Sequence, residues 1–315
     1  MRMLRRIGVH TSIVGGLHRS VERAHTLGCN TLQIFSHNPR GWAVKSISRE
    51  EAVLFESKKT HFDVSPVYIH TSYLINMASR NNDLKKKSID MLIVEMDRAD
   101  AIGADYVILH PGSASGDDEY VSRSRAVNAL NEVAAMGQWN AGLLIENTAG
   151  DKGAISSTIE NLSDIINGVK GSLIKGICID TCHAFAAGHE IRNDKGIKKY
   201  SNNIEKYIGL DNVKLIHLND SKGGFGSGVD RHEHIGFGKI GSKGLFQFIH
   251  YPTFRDIPLI LETPKKKKSD DSHNLRIIRK MIRYMDSKVT VRNFRTVVQK
   301  IALNNNCSLK CIVCS

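Results

Sequence analysis

The stretch that decides the fold of this chain is Leu173-Ile174-Lys175-Gly176-Ile177-Cys178-Ile179-Asp180-Thr181-Cys182-His183. Its apolar first part is typical of a strand buried on both faces, and it ends in a carboxylate, Asp180, followed three residues later by an imidazole, His183. Oxygen and nitrogen donors of this kind suit zinc or manganese. An aspartate after a strand is also a common helix cap. Both interpretations, a metal ligand and a cap, stay open at this point.

Short apolar runs of the same kind recur along the chain, and segments of helical period separate them. The eight candidate strands are Ile7–Ser12, Thr31–Ser36, Val67–Thr71, Tyr106–His110, Leu143–Asn147, Ile177–Asp180, Leu215–Asn219 and Leu259–Thr263. Strands that alternate with helices indicate βα units around a parallel sheet. Because eight such units close a barrel, the sequence predicts an α/β fold, a (β/α)8 TIM barrel with its active site at the C-terminal rim of the strands.

In most of these strands the apolar run leads directly to a side chain that can bind a metal ion. The six side chains are His70, His110, Glu146, Asp180, His217 and Glu262. Three more candidates follow in loops: His183, Asp230 and His232. In a barrel all strand ends meet at one rim, so these side chains would lie together. Solvation or helix capping does not explain why six strands bring metal-binding side chains to the same rim. A catalytic zinc takes three or four protein ligands, so these nine residues, with one bridging carboxylate, fit three zinc ions.

The composition narrows the class of partner. The 315 residues carry 44 Lys plus Arg against 32 Asp plus Glu, a formal charge of +12, which favours a polyanion such as nucleic acid; solubility is the alternative reason for such a charge. No apolar run approaches the ~20 residues that span a bilayer. The six cysteines are irregularly spaced, and two of them, Cys178 and Cys182, flank Asp180. We therefore expect reduced, packed thiols in a protein of the cytoplasm, or of the compartment that contains the host cell's DNA, that is not secreted and has no membrane partner.

With these ligands placed, the sequence closely resembles endonuclease IV, the zinc-dependent apurinic/apyrimidinic (AP) endonuclease family, from about Ile7 to Pro264. The segments that carry the resemblance are His70-Thr71-Ser72-Tyr73-Leu74-Ile75-Asn76, His110-Pro111-Gly112-Ser113, Ile145-Glu146-Asn147-Thr148-Ala149-Gly150, Asp180-Thr181-Cys182-His183-Ala184-Phe185-Ala186-Ala187-Gly188, His217-Leu218-Asn219-Asp220-Ser221-Lys222, Asp230-Arg231-His232 and Leu261-Glu262-Thr263.

The resemblance implies a DNA repair enzyme that hydrolyses the phosphodiester 5′ to abasic sites and removes 3′-blocking groups, leaving a 3′-hydroxyl and a 5′-deoxyribose phosphate. It further implies a monomer that binds double-stranded DNA. Three zinc ions would be held by His70, His110 and Glu146; by Glu146, Asp180, His217 and Glu262; and by His183, Asp230 and His232. Glu146, the bridging ligand, would also be catalytic by orienting the attacking water. Arg40, Tyr73 and Leu74 would insert into the base stack beside the abasic nucleotide.

Two other functional classes remain as alternatives. A metal-dependent sugar isomerase or epimerase on a related TIM barrel also gathers His, Asp and Glu at one rim, but it needs only one or two metal ions. A nonenzymatic binder of damaged DNA on a degenerate barrel would lack ligands, and none of the nine is missing.

We expect the barrel domain to cover residues 1–287. A C-terminal extension, 288–315, is expected to form a short helix and a disordered tail that contains Cys307, Cys311 and Cys314. The role of this tail, and that of the basic run Lys265–Lys268, is left open.

Overall fold

The strands form where the sequence has short runs of aliphatic residues, and each run is buried on both faces. The computed structural model describes residues 5–286. Within that range the strands are β1 (Ile7–Val9), β2 (Leu32–Ile34), β3 (Val67–His70), β4 (Tyr106–Leu109), β5 (Gly142–Glu146), β6 (Ile174–Asp180), β7 (Val213–His217), β8 (Asp220–Ser221), β9 (His232–Glu233) and β10 (Leu259–Leu261). All eight predicted barrel strands are present, most of them shorter than predicted because their last residues already belong to the rim loops.

Helices connect the strands and surround them. Their bounds are α1 (Leu17–Thr26), α2 (Arg49–His61), α3 (Asn82–Ala101), α4 (Glu119–Met136), α5 (Ile159–Gly168), α6 (Thr181–Ala186), α7 (Asp194–Tyr207), α8 (Gly241–His250) and α9 (Asp270–Asp286). Among the described residues, no helix combines the length and apolar character needed to span a bilayer. The predicted extension over 288–315, with Cys307, Cys311 and Cys314, lies outside the described residues, as does the predicted domain boundary after 287.

The sheet has the strand order β1-β10-β7-β6-β5-β4-β3-β2, and all neighbouring pairs are parallel. A parallel bridge between His10 and Gln33 joins the two end strands, which closes the barrel. Gly8 lies at this seam, where a Cβ atom would be 2.1 Å from the carbonyl oxygen of Thr31, so the two strands can approach each other only at a glycine. The remaining strands, β8 and β9, form a short antiparallel hairpin above the rim. The predicted (β/α)8 fold is confirmed.

Side chains that alternate along each strand divide the core into two parts. One set packs between the strands and the helices; the other fills the barrel interior and consists of Tyr68, Ile108, Leu144, Cys178, Leu215 and Ile260. Because side chains on one face of a strand repeat every two residues, the next inward position after each interior residue lies one layer higher, at the rim. Those positions are occupied by His70, His110, Glu146, Asp180, His217 and Glu262. The period of the strands thus directs all six side chains into one funnel.

Candidate metal centre

The nine predicted ligands lie in three adjoining groups at the C-terminal rim. In each group the nitrogen and oxygen atoms that could bind an ion all lie within 4.8 Å of one another. The groups are His70, His110 and Glu146; Glu146, Asp180, His217 and Glu262; and His183, Asp230 and His232. These are the sets that the sequence resemblance implied, and Glu146 is shared by the first two. The structure therefore brings every predicted ligand to one place.

Glu146 occupies the centre of this arrangement and is completely buried. Its Oε2 atom lies 3.3 Å from Nε2 of His70 and 3.1 Å from Nε2 of His110. Its Oε1 atom lies on the other side, 2.9 Å from Nδ1 of His217 and 3.5 Å from Nδ1 of His183. The two oxygens of one carboxylate thus face different sets of imidazoles, which is the geometry that a bridging ligand requires.

Asp180 resolves the choice between ligand and cap, because it is placed for both. Its Oδ1 atom accepts a hydrogen bond from the backbone N–H of His183 at 2.8 Å and so caps α6. Its Oδ2 atom accepts one from Nδ2 of Asn219 at 2.6 Å and lies 3.5 Å from Nε2 of His232. The cap fixes the carboxylate and at the same time holds His183 in the position from which its ring reaches the cluster.

Backbone carbonyl oxygens orient the rings of three histidines of the cluster. Each ring has Nδ1 within hydrogen-bond distance of a backbone carbonyl: His70 of Thr71 at 2.9 Å, His183 of Asn147 at 2.9 Å, and His232 of Glu262 at 3.1 Å. In each case Nδ1–H is the donor when Nε2 is the free nitrogen that faces the carboxylates. Such partners fix both the tautomer and the angle of a metal-binding imidazole.

Several polar atoms of the cluster have no hydrogen-bond partner although they are buried. They are Oε2 of Glu146, Nε2 of His183 and Nε2 of His232. Buried polar atoms without a hydrogen bond are rare in native proteins. Oε2 of Glu146 and Nε2 of His183 have only ion-pair neighbours, the closest being Nε2 of His110 and Oδ1 of Asp230, each at 3.1 Å. Here the unpaired atoms converge on the space enclosed by the other ligand atoms. A set of nitrogen and oxygen donors in this arrangement fits zinc.

Neighbouring charges shift the pKa values of the ionisable side chains in the cluster away from their values in water. Burial alone would raise the pKa of Glu146, but the neighbouring His217 and His110 bring it well below its usual range. Burial lowers the pKa of His183, and Asp180 and Asp230 more than reverse that effect, raising it to about 10. These charges favour protonated imidazoles beside ionised carboxylates, and such protons would have to leave if metal ions bound to the same nitrogens.

The two cysteines beside the cluster are not needed as ligands. Cys178 belongs to the barrel interior, and burial raises the pKa of its thiol to about 12. Burial also raises the pKa of Cys182, whose thiol donates a hydrogen bond to the carbonyl oxygen of Arg231 at 3.7 Å. Each thiol lies close enough to two predicted ligands to share an ion with them, but its raised pKa disfavours the thiolate, which is the form that binds metal.

The residues predicted to insert into DNA lie on two adjacent rim loops. Tyr73 is 65% exposed, and its ring packs edge-on against Phe35 with centroids 5.1 Å apart. Arg40 is exposed on the loop after β2, and Leu74 is half-buried beside Tyr73. The side chain of Ser72 joins the two loops by donating a hydrogen bond to the carbonyl oxygen of Pro39 at 2.8 Å. Proximity to the metal cluster and exposure are both compatible with contact to DNA.

Two buried polar residues at the site were missed in the sequence. Gln33 lies within β2, one position before the strand ends, and contacts two of the predicted ligands. Glu95 lies on α3 and is 1% exposed; its carboxylate accepts hydrogen bonds from Oγ of Ser36 and the backbone N–H of Ser72, both at 3.0 Å. It also lies 2.9 Å from Nε2 of His37. A polar residue on the inward face of a strand or helix was the signal available for both.

The four lysines of the basic run after β10, Lys265–Lys268, have different surroundings. Nζ of Lys265 donates hydrogen bonds to the carbonyl oxygen of His10 and, at 2.8 Å, to the carboxylate of Asp271. Lys266, Lys267 and Lys268 have exposed side chains. The first lysine therefore ties the rim to α9, and the other three are accessible to solvent.

Comparisons with known proteins agree with this geometry. Residues 21–288 match the family model described as xylose isomerase-like TIM barrel. The chain is similar to the probable endonuclease 4 of Halothermothrix orenii, with 45% identity over 260 residues that cover 82% of this chain and 94% of that protein. It is also similar to the probable endonuclease 4 of Cenarchaeum symbiosum, with 40% identity over 87% of this chain and 98% of that protein.

Solved structures also include a similar endonuclease IV. The crystal structure of endonuclease IV from Thermus thermophilus aligns with a TM-score of 0.78 and 34% identity, over 89% of this chain and 99% of that chain. A D-tagatose 3-epimerase-like protein aligns with a TM-score of 0.69 but only 17% identity, a similarity that concerns the fold alone. The chain belongs to the endonuclease IV family of xylose isomerase-like TIM barrels.

Proposed function

We propose that this endonuclease hydrolyses the phosphodiester 5′ to abasic sites in double-stranded DNA, and removes 3′-blocking groups, with three zinc ions held at the rim of the barrel. The observation that carries the proposal is the position of Glu146. One of its oxygens faces His70 and His110, the other faces His217, and the first has no hydrogen-bond partner. Its two oxygens thus face different sets of imidazoles, and one of them has no hydrogen bond, which suits a carboxylate that bridges two cations.

Three ions account for all nine ligands. His70, His110 and Glu146 would hold the first ion, Glu146, Asp180, His217 and Glu262 the second, and His183, Asp230 and His232 the third. Zinc ions in this position would lower the pKa of water, neutralise the phosphodiester and stabilise the departing 3′-oxygen. The role of Glu146 is to keep its two oxygens fixed toward the two sides of the cluster and to orient the attacking water. The hydrogen bonds on the outer nitrogens of the histidines would keep the ligands in place during the reaction.

Recognition of the abasic site would depend on the two rim loops. Tyr73 and Leu74, next to the ligand His70, and Arg40, on the neighbouring loop, are placed to enter the base stack where a base is missing. Such insertion costs a few kcal/mol in unstacking and bends the duplex. The cost is lowest where no base has to be unpaired, which would give selectivity for abasic sites. We expect the protein to act as a monomer in the compartment that contains the DNA.

The decisive experiment is incubation with a duplex that contains one tetrahydrofuran abasic analogue. We expect a single cut on the 5′ side that leaves a 3′-hydroxyl, loss of cutting with a zinc chelator, and recovery when zinc is added. The analogue blocks lyase chemistry, so a product requires hydrolysis. The same duplex without the lesion is the control. An uncut lesion duplex at every zinc concentration would refute the proposal.

Counting metal ions separates this function from the sugar isomerase alternative. About three zinc ions per chain support the nuclease, whereas one or two exchangeable manganese ions would favour isomerisation. The curated relatives quoted above are all named as endonucleases, and the epimerase-like neighbour shares only the fold.

A further inference from the structure

Gln33 is a fully buried amide in the middle of a cluster of charged side chains. It lies on β2, a strand that contributes none of the nine proposed ligands, and its side chain crosses the barrel seam toward β10 and β7. Burial of an uncharged amide among imidazoles and carboxylates is costly unless its donors and acceptor are all paired. The hydrogen-bond partners of this amide therefore indicate what it does in the cluster.

Every polar atom of the Gln33 side chain has a partner. Its Oε1 atom lies 2.6 Å from Nε2 of His217 and can only accept, so the imidazole N–H is the donor. Its Nε2 atom lies 2.6 Å from Oε1 of Glu262 and 2.9 Å from Nδ1 of His10, and it donates one hydrogen to each. These three contacts use both amide hydrogens and fix which end of the amide is oxygen.

Two of those partners are ligands of the same proposed ion. With Nε2 of His217 held as a donor, Nδ1 is the nitrogen that remains to bind, and it faces Oε1 of Glu146 at 2.9 Å. With Oε1 of Glu262 occupied by Gln33, Oε2 is the oxygen directed to the cluster, 3.3 Å from the same Nδ1. The other histidines discussed above use backbone carbonyls for this purpose, whereas His217 depends on a side chain.

We propose that Gln33 is a positioning residue that holds His217 and Glu262 in the orientation needed to bind the second zinc ion. The inference rests on the proposed zinc cluster and adds to it a specific requirement for a side chain with both an acceptor and a donor. A methionine would fill the same volume without either group, and a glutamate would retain the acceptor for His217 but place a second carboxylate beside Glu262.

The test is zinc binding by Gln33→Met and Gln33→Glu, measured by metal analysis and by titration with a competing chelator. In Gln33→Met we expect one of the three ions to bind about 10- to 100-fold more weakly, the usual effect of removing a hydrogen bond to a metal ligand, and the other two to bind unchanged. At zinc concentrations that leave this ion unbound, kcat should fall while the KM for lesion duplex is retained. Gln247→Met, the same replacement on α8 outside the cluster, should bind all three ions like the wild type.

The possible results separate this inference from the function on which it rests. If the wild type binds no zinc, the proposed function fails. If the wild type binds three ions and the Gln33 variants bind all three with wild-type affinity, the role of Gln33 is refuted. Equal weakening of all three ions would also refute it, because the rim would then have loosened as a whole. Should Gln33→Met not fold, Gln33→Glu carries the test, with the same single ion expected to weaken.

Discussion

Glu146 and Asp220 are both completely buried carboxylates at the same rim, but they have opposite kinds of partner. Glu146 faces imidazoles, and its Oε2 atom has no hydrogen-bond partner. Asp220 is surrounded by backbone amides, and its two oxygens accept hydrogen bonds of 2.9–3.2 Å from the N–H groups of Ser221, Gly236, Gly238, Ile240 and Gly241. Burial alone therefore does not distinguish a metal ligand from a structural anchor; the partners do.

The pKa values of the two carboxyl groups express the same difference. Burial raises the pKa of Asp220, and the backbone hydrogen bonds offset this only in part. Burial acts on Glu146 in the same direction, but His217 and His110 bring its pKa well below the usual range. Full charges nearby outweigh desolvation where peptide dipoles do not. Of the two sites, only that of Glu146 lowers the pKa of its carboxyl group and so favours the ionised form.

The largest effect is expected from Glu146→Gln, which tests the ligand side of the comparison. Glutamine keeps the volume but removes the negative charge and one of the two oxygens that face the imidazoles. We expect kcat on an abasic duplex to fall by about 10³-fold or more, equivalent to about 4 kcal/mol of transition-state stabilisation, while the circular dichroism spectrum is retained. The control is Glu132→Gln, the same change on the exposed face of α4. Turnover near that of the wild type would contradict the bridging role.

An intermediate effect is expected from Asp220→Asn, which tests whether Asp220 is a structural anchor. An asparagine offers one oxygen instead of two, and its amide hydrogens would oppose backbone N–H groups that now donate to Asp220. We expect the free energy of unfolding in urea to fall by about 2–3 kcal/mol. The hairpin β8–β9, which starts at Asp220 and carries His232, should loosen, so the third zinc ion should be lost most readily.

Asp211→Asn, at an exposed position just before β7, provides the control for this variant and should leave both stability and zinc content unchanged. Unaltered stability of Asp220→Asn would mean that the five hydrogen bonds to Asp220 do not support the rim loop.

The sequence was sufficient to predict the barrel and the meeting of six of the nine predicted ligands at one rim, because both follow from local pattern. Strands buried on two faces are continuous apolar runs, and parallel strands bring their ends to one rim. Gln33 and Glu95 could not be assigned roles in this way. Their partners are distant in the chain, 229 residues away for Glu262 and 58 for His37, and no local pattern specifies such pairs. For Asp180 the local pattern allowed both a ligand and a cap; in the structure one oxygen caps α6 and the other faces the cluster.

The smallest effect is expected from Glu95→Gln. Glu95 is a third buried carboxylate, and its partners combine the two kinds found at Glu146 and Asp220. Glu95 has both kinds of partner, the backbone N–H of Ser72 and the side chains of Ser36 and His37, and it thereby anchors the loops that carry Arg40 and Tyr73. We expect zinc content and kcat to be retained, and the affinity for an abasic duplex, measured by fluorescence anisotropy, to fall about tenfold, or 1.4 kcal/mol.

Tyr73→Ala supplies the matched comparison, because it removes an exposed ring without disturbing a buried group. It should lower DNA affinity by a similar factor and leave the free energy of unfolding within about 0.5 kcal/mol of the wild type, whereas Glu95→Gln should lower both. If Glu95→Gln instead lost zinc, Glu95 would support the metal cluster rather than the DNA-facing loops. The distinction between anchor and ligand would then have to be drawn from distance to the cluster and not from the chemical nature of the partners.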